Sequence, residues 1–336
     1  MGRDARRRPE LTKRRDYDED DVRVRPGRHG SRPRTKERPR HEGAAVGVVT
    51  AVDRGRYTCL VDGVPLTAMR ARELGRKSVV VGDRVGLVGD LSGQDGSLAR
   101  IVRIEPRTTT LRRTADDNDP FERVIVANAE QLVIVTAVAD PPPRTGLIDR
   151  CLVAAYVGGL APLLCLTKSD LSSPDALLAT YADLGLAAVS TRRDADPADL
   201  RDRLAGRISV FVGHSGVGKS TLVNRLVPAA HRSVGVVSAI GRGRHTSSSA
   251  VALELPGGGW VVDTPGIRSF GLAHVTPADL LSAFPDLEPG TEGCPPGCDH
   301  ASARCALDAW VAAGNAKPGR LEAYRRLLAS RTADER

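Results

Sequence analysis

Residues 208–226, ISVFVGHSGVGKSTLVNRL, constrain the fold more than any other stretch of the chain. A β-rich apolar run, Ile208 to Val212, turns through glycines and continues from Lys219 as an amphipathic helix. That is the strand–loop–helix setting in which a G-x-x-x-x-G-K-[ST] match binds phosphate. Gly213, Gly216 and Gly218 let backbone N–H groups converge on phosphate oxygens without Cβ clashes. The helix N-terminus adds partial positive charge. The loop formed by Gly213, His214, Ser215, Gly216, Val217, Gly218, Lys219, Ser220 and Thr221 is therefore expected to wrap the phosphates of a nucleotide. Lys219 would reach the β- and γ-phosphates, and the Ser220 hydroxyl would hold Mg²⁺. A chance glycine turn is the alternative, and the flanking strand and helix argue against it.

Further along, WVVDTPGIRSF supplies a second nucleotide element. Trp260 to Val262 form an apolar strand with Asp263 at its end, where a carboxylate can hold Mg²⁺ through water. Gly266 can present its N–H to the γ-phosphate. Between the two elements lies GRGRHTSSS, residues 241–249, a polar loop in which Thr246 is placed to close on Mg²⁺ and the γ-phosphate as a switch threonine does.

PLLCLTKSDL, residues 162–171, reads as a buried strand ending in a base-reading corner, with QLVIVTAV as a matching strand before it. Asp170 can accept from the ring N–H and amino group of guanine, a donor pair that adenine lacks. Lys168 would lay its aliphatic stem along the base. Thr167 stands where many such corners have Asn, and a hydroxyl has fewer hydrogen-bonding options than an amide, so a looser tie to the phosphate loop is expected. AAVSTR offers a last base contact at Ser190 and Thr191. The order is then base corner, phosphate loop, switch loop, DTPG. In the usual GTPase the base corner comes last, and circular permutation of a doubly wound sheet accounts for the difference. The switch region then leads directly into the C-terminal segment.

Three of the six cysteines, Cys59, Cys151 and Cys165, sit alone among apolar residues and are expected in the core. The other three cluster with a histidine as Cys294-x3-Cys298-x-His300-x4-Cys305, which matches a closed tetrahedral zinc site. A redox cluster is the alternative. Residues 1–42 hold 15 Lys/Arg against 9 Asp/Glu, so six of the net eight positive charges sit there. With almost no apolar residues, a tail over 1–43 is expected to be disordered. It would attract polyanions such as RNA, or serve only as a solubilising arm. The longest apolar run, residues 151–166, contains Gly158, Gly159 and Pro162 and is shorter than the roughly 18 residues of a membrane span. Helix, turn and buried strand are expected there. No secretory signal is evident, and a cytoplasmic protein without membrane association is expected.

With VIVANAEQLVIV, GLIDRCLVAA, GRGRHT and the cysteine cluster added to these motifs, the sequence resembles the bacterial ribosome small-subunit-dependent GTPase A family over about residues 44–330. The resemblance implies an N-terminal OB-fold over 44–107, a circularly permuted P-loop GTPase domain over 108–271 and a mainly helical zinc-binding domain over 272–336. It implies a monomer that binds GTP and GDP, the small (30S) ribosomal subunit and its rRNA, with GTP hydrolysis late in subunit maturation promoting release. It also points to His245, in the switch loop, for positioning the attacking water, since Ile267 occupies the place of the usual Gln. Two departures from the family pattern stand out: His214 where Gln is expected, and a slightly short zinc spacing.

The stretches 45–52, 56–63, 64–71, 77–89 and 97–106 read as five short strands with an Asp62-Gly63 turn, which suits a small barrel. Tyr57 is its only aromatic, so contact with phosphates and shape in structured RNA is expected, from Arg54, Arg56, Arg70, Arg72, Arg76 and Lys77. Thr276 should cap a helix over VTPADLLSAF, and a basic helix over GRLEAYRRLLASR would offer Arg320, Arg325, Arg326 and Arg331 to rRNA. The rival readings are a permuted GTPase for large-subunit assembly, a P-loop kinase or ATPase, which Asp170 disfavours, and an RNA-binding checkpoint in which hydrolysis is incidental.

Overall fold

The computed structural model describes residues 41–74, 78–114, 122–228, 250–264, 270, 272, 275–302 and 305–331. Residues 1–40, Arg76, Lys77, His245, Thr246, Gly266 and Ile267 lie outside the described residues.

Period-two alternation near the N-terminus closes a barrel. Strands β1 (Ala45–Asp53), β2 (Arg56–Val61), β3 (Val64–Arg70), β4 (Arg84–Gly89) and β5 (Ala99–Ile104) pair in the order β1-β2-β3-β5-β4, and β4 returns to β1. Alternate residues point inward: Tyr57, Cys59, Leu66, Ala68, Val85, Leu87 and Ile101 are buried in one cluster. This is the five-stranded OB arrangement. Asp62 and Gly63 both have positive φ, 47° and 80°, as the tight β2–β3 hairpin requires.

The strand expected over 77–89 is shorter. Val79, Val80 and Val81 are buried without joining the barrel ladder. Instead the Asp83 carboxylate accepts from the Val80 N–H at 2.8 Å and takes a two-pronged contact from Arg107 at 2.7 and 2.8 Å. The Val81 carbonyl accepts from Ala127 at 2.9 Å, and Asn128 Nδ2 donates to Gly82 O at 2.9 Å. The β-rich segment thus divides its backbone groups between Val49 of β1, which pairs with Gly82 and Asp83, and the hairpin of β6 (Thr110–Thr114) and β7 (Glu122–Ala127).

The second domain is doubly wound. Its elements are β8 (Gln131–Ala137), α1 (Thr145–Gly158), β9 (Ala161–Thr167), α2 (Asp175–Thr180), β10 (Ala187–Ser190), α3 (Ala198–Leu204), β11 (Ile208–Val212), α4 (Lys219–Leu226), β12 (Val251–Glu254) and β13 (Trp260–Asp263). Strands β10-β9-β8-β11-β13 run parallel, and β12 closes their edge antiparallel. Every residue of β8 is buried, the continuous apolar pattern of a strand covered on both faces. Each fully buried Leu of β9, such as Leu163 and Leu166, contributes about 1.5–3 kcal/mol. Gly159, at φ 75°, ends α1 before β9 begins, so the helix–turn–strand expectation for 151–166 holds. Cys59, Cys151 and Cys165 are buried, and burial pushes the Cys59 and Cys165 thiols up to about 12.

One feature was not foreseen. Strand β12 also pairs with β1, Ala51 opposite Val251, so barrel and nucleotide domain share one eleven-stranded sheet.

The C-terminal region comprises α5 (Pro277–Leu281), a 3-10 turn over Glu288–Gly293, α6 (Ala306–Ala312) and α7 (Pro318–Ser330). Thr276 caps α5 in a reciprocal box: its hydroxyl accepts from Asp279 N at 3.2 Å, and the Asp279 carboxylate accepts from Thr276 N at 2.8 Å. The arginines of α7 make contacts within the chain. Arg320 forks Asp286 at 3.0 and 2.9 Å with its guanidinium 4.6 Å over the Phe284 ring. Arg325 forks Asp308 and donates to His300 O at 2.9 Å. Arg326 pairs with Asp149 of α1 at 3.3 Å, and Arg331 donates to Val275 O. Planar, multi-donor side chains at a domain junction find carboxylates and carbonyls within the chain itself.

Candidate functional site

The phosphate loop, the base corner and Asp263 lie beyond the carboxyl ends of three parallel strands, β11, β9 and β13. That edge is where open α/β sheets bind ligands. Strand β11 is central, between β8 and β13. Gly213 leaves it with no room for a side chain, because a Cβ there would stand 2.3 Å from Val135 O. Gly218 starts α4 at φ 92°, a conformation that glycine adopts freely. Between them Val217 is buried and anchors the loop in the core, while Ser215 and Gly216 are exposed. His214 closes its own turn, its ring Nδ1 2.7 Å from Ser215 O. Ser220 and Thr221, in the first turn of α4, are exposed beside the loop. Lys219 extends to Asp263, and its ammonium contacts the carboxylate directly. Two strands separated in sequence thus bring the expected phosphate cation and the expected Mg²⁺ carboxylate to one point.

The base corner is tied to this loop. Thr167 Oγ1 donates to Val217 O at 2.6 Å, with Thr136 O more distant at 3.3 Å. The looser anchoring expected of a threonine is therefore corrected. Thr167 is buried, so its single donor is committed to the phosphate loop at close range. Lys168 adopts positive φ, 57°, and its ammonium donates to Asp140 O. Asp170 is exposed. Ser169 donates through its hydroxyl to Thr191 O at 3.2 Å, and Thr191 N donates to Leu166 O at 2.7 Å. These bonds place Ser190, at the end of β10, next to the corner.

Several partners were missed in the sequence. Asp140 belongs to the D-P-P-P turn after β8, which signals only a turn. Arg225, in the last turn of α4, donates to Arg192 O at 2.9 Å and to Ala195 O. It fastens the loop after β10 to the phosphate-loop helix, and a surface arginine gives no such signal in sequence.

The cysteine cluster converges as expected. The ligand atoms of Cys294, Cys298, His300 and Cys305 all lie within 4.8 Å of one another. Cys294 Sγ is 3.7 Å from Cys305 Sγ, and His300 Nδ1 is 3.6 and 3.5 Å from those two sulfurs. Zinc–ligand lengths of about 2.3 Å to sulfur and about 2.0 Å to nitrogen set tetrahedral edges of about 3.8 and 3.5 Å. The three separations match those edges, and the four ligand atoms could hold one metal ion. A chain of edge-on rings, Tyr156–Phe284 at 6.1 Å and Phe284–Tyr324 at 5.2 Å, runs from α1 to the ring of His300, 6.3 Å from Tyr324. Among the described residues, no helix is long and apolar enough to cross a membrane.

Comparison with known proteins agrees with this geometry. The family model described as RsgA GTPase matches residues 104–273. The small ribosomal subunit biogenesis GTPase RsgA of Azotobacter vinelandii is 42% identical over 264 residues, 75% of each chain. That of Gemmatimonas aurantiaca is 37% identical over 261 residues, 75% of this chain and 84% of that one. Among solved structures, YjeQ from Thermotoga maritima superposes with a TM-score of 0.64 at 24% identity, over 86% of this chain and 99% of that chain. YloQ, a circularly permuted GTPase, gives 0.61 at 24% identity, over 87% and 96%. These two likenesses show the shared fold.

Proposed function

Because the chain belongs to the RsgA GTPase family, we propose that it binds the small ribosomal subunit and hydrolyses GTP late in that subunit's maturation, hydrolysis promoting its release. The observation that supports the reading is the direct bond from Thr167 to Val217, which ties the end of β9, three residues before Asp170, to the loop over 213–221. Relatives named for small-subunit biogenesis supply the partner.

In this reading Asp170 selects guanine, Lys168 lies along the base, and Ser190 completes the corner. Backbone N–H groups of Gly213 to Thr221 cradle the phosphates. Lys219 exchanges its contact with Asp263 for the β- and γ-phosphates. Ser220, Thr246 and Asp263 hold Mg²⁺, which neutralises charge developing on the phosphate oxygens. Gly266 donates its N–H to the γ-phosphate. His245 orients a water molecule for in-line attack, so that a P–O bond forms as the bond to the GDP oxygen breaks. Cys294, Cys298, His300 and Cys305 hold a structural zinc ion. The protein acts in the cytoplasm as a monomer, and exposed Arg54, Arg56, Arg70 and Arg72 of the barrel meet rRNA.

The test is GTP hydrolysis by purified protein, alone and with isolated small or large subunits at fixed Mg²⁺ and salt. Stimulation by the small subunit alone is expected. Stimulation by the large subunit, or by neither, overturns the assigned partner.

A further inference from the structure

Tyr181 caps the end of α2 and is only 2% exposed. A buried tyrosine brings a large apolar ring and one hydroxyl that finds a partner. The Tyr181 hydroxyl donates at 3.3 Å to the backbone carbonyl of Thr145, the first residue of α1. A carbonyl at that place also serves the N–H four residues further along the helix, so it is satisfied without the tyrosine. What the bond adds is position. It ties the start of α1 to the end of the helix that follows the base corner.

The residues just before Thr145 reach the nucleotide site. The turn over 140–144 leaves β8, which stands between β9 and β11 in the sheet. Those two neighbours lead into the base corner and the phosphate loop, and the turn touches both. Asp140 O accepts from the Lys168 ammonium. Pro141 borders the phosphate loop at Gly216, where an added Cβ would stand 3.7 Å from the proline ring. Pro141, Pro142 and Arg144 also share a small cavity with Gly213, His214 and Val217. The near end of the turn is held by the β8–β9 ladder, Val138 N donating to Thr167 O at 3.0 Å. Its far end is the first turn of α1, where Ile148 N donates to Arg144 O at 3.1 Å. That is the end that Tyr181 holds.

Tyr181 is held in turn from the C-terminal region. Arg326 of α7 lies 5.0 Å over its ring, donates to Thr180 O at 3.2 Å and pairs with Asp149 of α1 at 3.3 Å. Burial pushes the Asp149 carboxyl up, while Arg326 and the Tyr181 hydroxyl pull it back. One ring and one guanidinium thus join α1, α2 and α7.

We propose that Tyr181 is a positioning residue for guanine-nucleotide binding: its hydroxyl fixes the far end of the turn over 140–144, that turn holds Lys168 and borders the phosphate loop, and Arg326 makes the setting depend on how α7 is seated. The inference rests on the nucleotide reading above. Lys168 and the phosphate loop contact parts of the ligand that GDP and GTP share. A loosened turn should therefore weaken both nucleotides alike and leave the chemical step unchanged.

The experiment measures affinities for GDP and a non-hydrolysable GTP analogue, kcat and KM for GTP with the small subunit present, melting temperature, and hydrogen exchange in α1. The proteins are wild type, Tyr181→Phe, Arg326→Met, the double variant and Lys219→Ala. For Tyr181→Phe, both affinities are expected to fall about 3- to 10-fold, with KM rising in step and kcat within about twofold. The Ile148 amide should exchange faster, and the melting temperature should move by no more than about 3 °C. Arg326→Met should weaken both nucleotides by less. The double variant should lose less than the product of the two single losses, because both residues act on one turn. Wild-type affinity in Tyr181→Phe overturns the proposal. So does a loss of affinity that comes with a large fall in melting temperature, the mark of a merely structural tyrosine. Losses that multiply in the double variant overturn the part assigned to Arg326. If Tyr181→Phe does not fold, Arg326→Met decides alone: weaker binding of both nucleotides at unchanged kcat supports the proposal, and wild-type affinity overturns it. Lys219→Ala separates the two levels. Wild-type GDP affinity no tighter than that of Lys219→Ala removes the nucleotide reading and this inference with it, whereas a clear gap between them with Tyr181→Phe at wild-type affinity removes the inference alone.

Discussion

The Thr167 hydroxyl donates to the Val217 carbonyl across 2.6 Å, joining the end of β9 to the middle of the phosphate loop. Both residues are buried. The bond ties the end of β9 to the loop over 213–221 within the fold itself. Thr167→Val keeps the shape and removes the donor, leaving the Val217 carbonyl unpaired. Unfolding free energy should fall by about 1–3 kcal/mol, and affinity for GDP and GTP should fall together. Denaturant titration and nucleotide titration read the two effects. Thr167→Ser should restore both.

Asp170→Asn exchanges an acceptor for an amide that also donates. Guanine then loses a charge-assisted pair, so GTP affinity should drop about 10- to 100-fold. The new N–H suits a base with a carbonyl at the 2-position, so xanthosine triphosphate should bind better than GTP. Competition between the two nucleotides measures the switch, and an unchanged preference for GTP removes Asp170 from the base site.

Metal analysis of the purified protein should find about one zinc ion per chain, and Cys298→Ser should lose it. Chelation should lower the melting temperature, because binding energy in such a site is folding energy. The effect should reach beyond the cluster, since His300, Tyr324, Phe284 and Tyr156 are in ring contact back to α1. Hydrogen exchange with and without chelator tests this. Protection should weaken in α1 as well as in α7.

The Arg320 guanidinium beside Asp286 holds its carboxyl below the usual carboxylate range. A depressed folded-state pKa stabilises the native form above the unfolded value of about 3.9, and the benefit is lost as pH falls through the folded value. Asp286→Asn should therefore be less stable than wild type near neutral pH, by up to about 1 kcal/mol for a pair still partly open to solvent. The gap should close below pH ~4. Unfolding curves of both proteins across that range decide it, and a gap independent of pH would mean that the pair contributes through packing alone.

The elements legible in the sequence are those whose chemistry is written in short spacings. The phosphate loop lies within nine residues, 213–221, and its flanking strand and helix appear where periodicity places them. The cysteine cluster is equally local, and its four ligand atoms converge. Tertiary partners were legible only in part. A tie from Thr167 to the phosphate loop was expected but not its closeness to Val217, fifty residues away, and nothing signalled that Arg326 reaches back to Asp149. Nothing in the composition of α7 separates arginines that fork carboxylates inside the chain from arginines that wait for phosphate. The valines at 79–81 read as strand because they are β-branched and apolar, yet Val79 packs into the barrel core while Val81 turns to Val126 of β7.

The pairing of Ala51 with Val251 bears on how this protein can be taken apart. A barrel expressed alone would bare the edge of β1, and a nucleotide domain expressed alone would bare β12, each an unpaired backbone template of the kind that drives strand-to-strand association. Fragments cut between the two should self-associate, while the intact chain keeps both edges occupied. For a permuted protein this is a constraint on descent as well as on handling: the barrel is a working part of the sheet's perimeter, and exchange for an unrelated module would have to supply a matching strand.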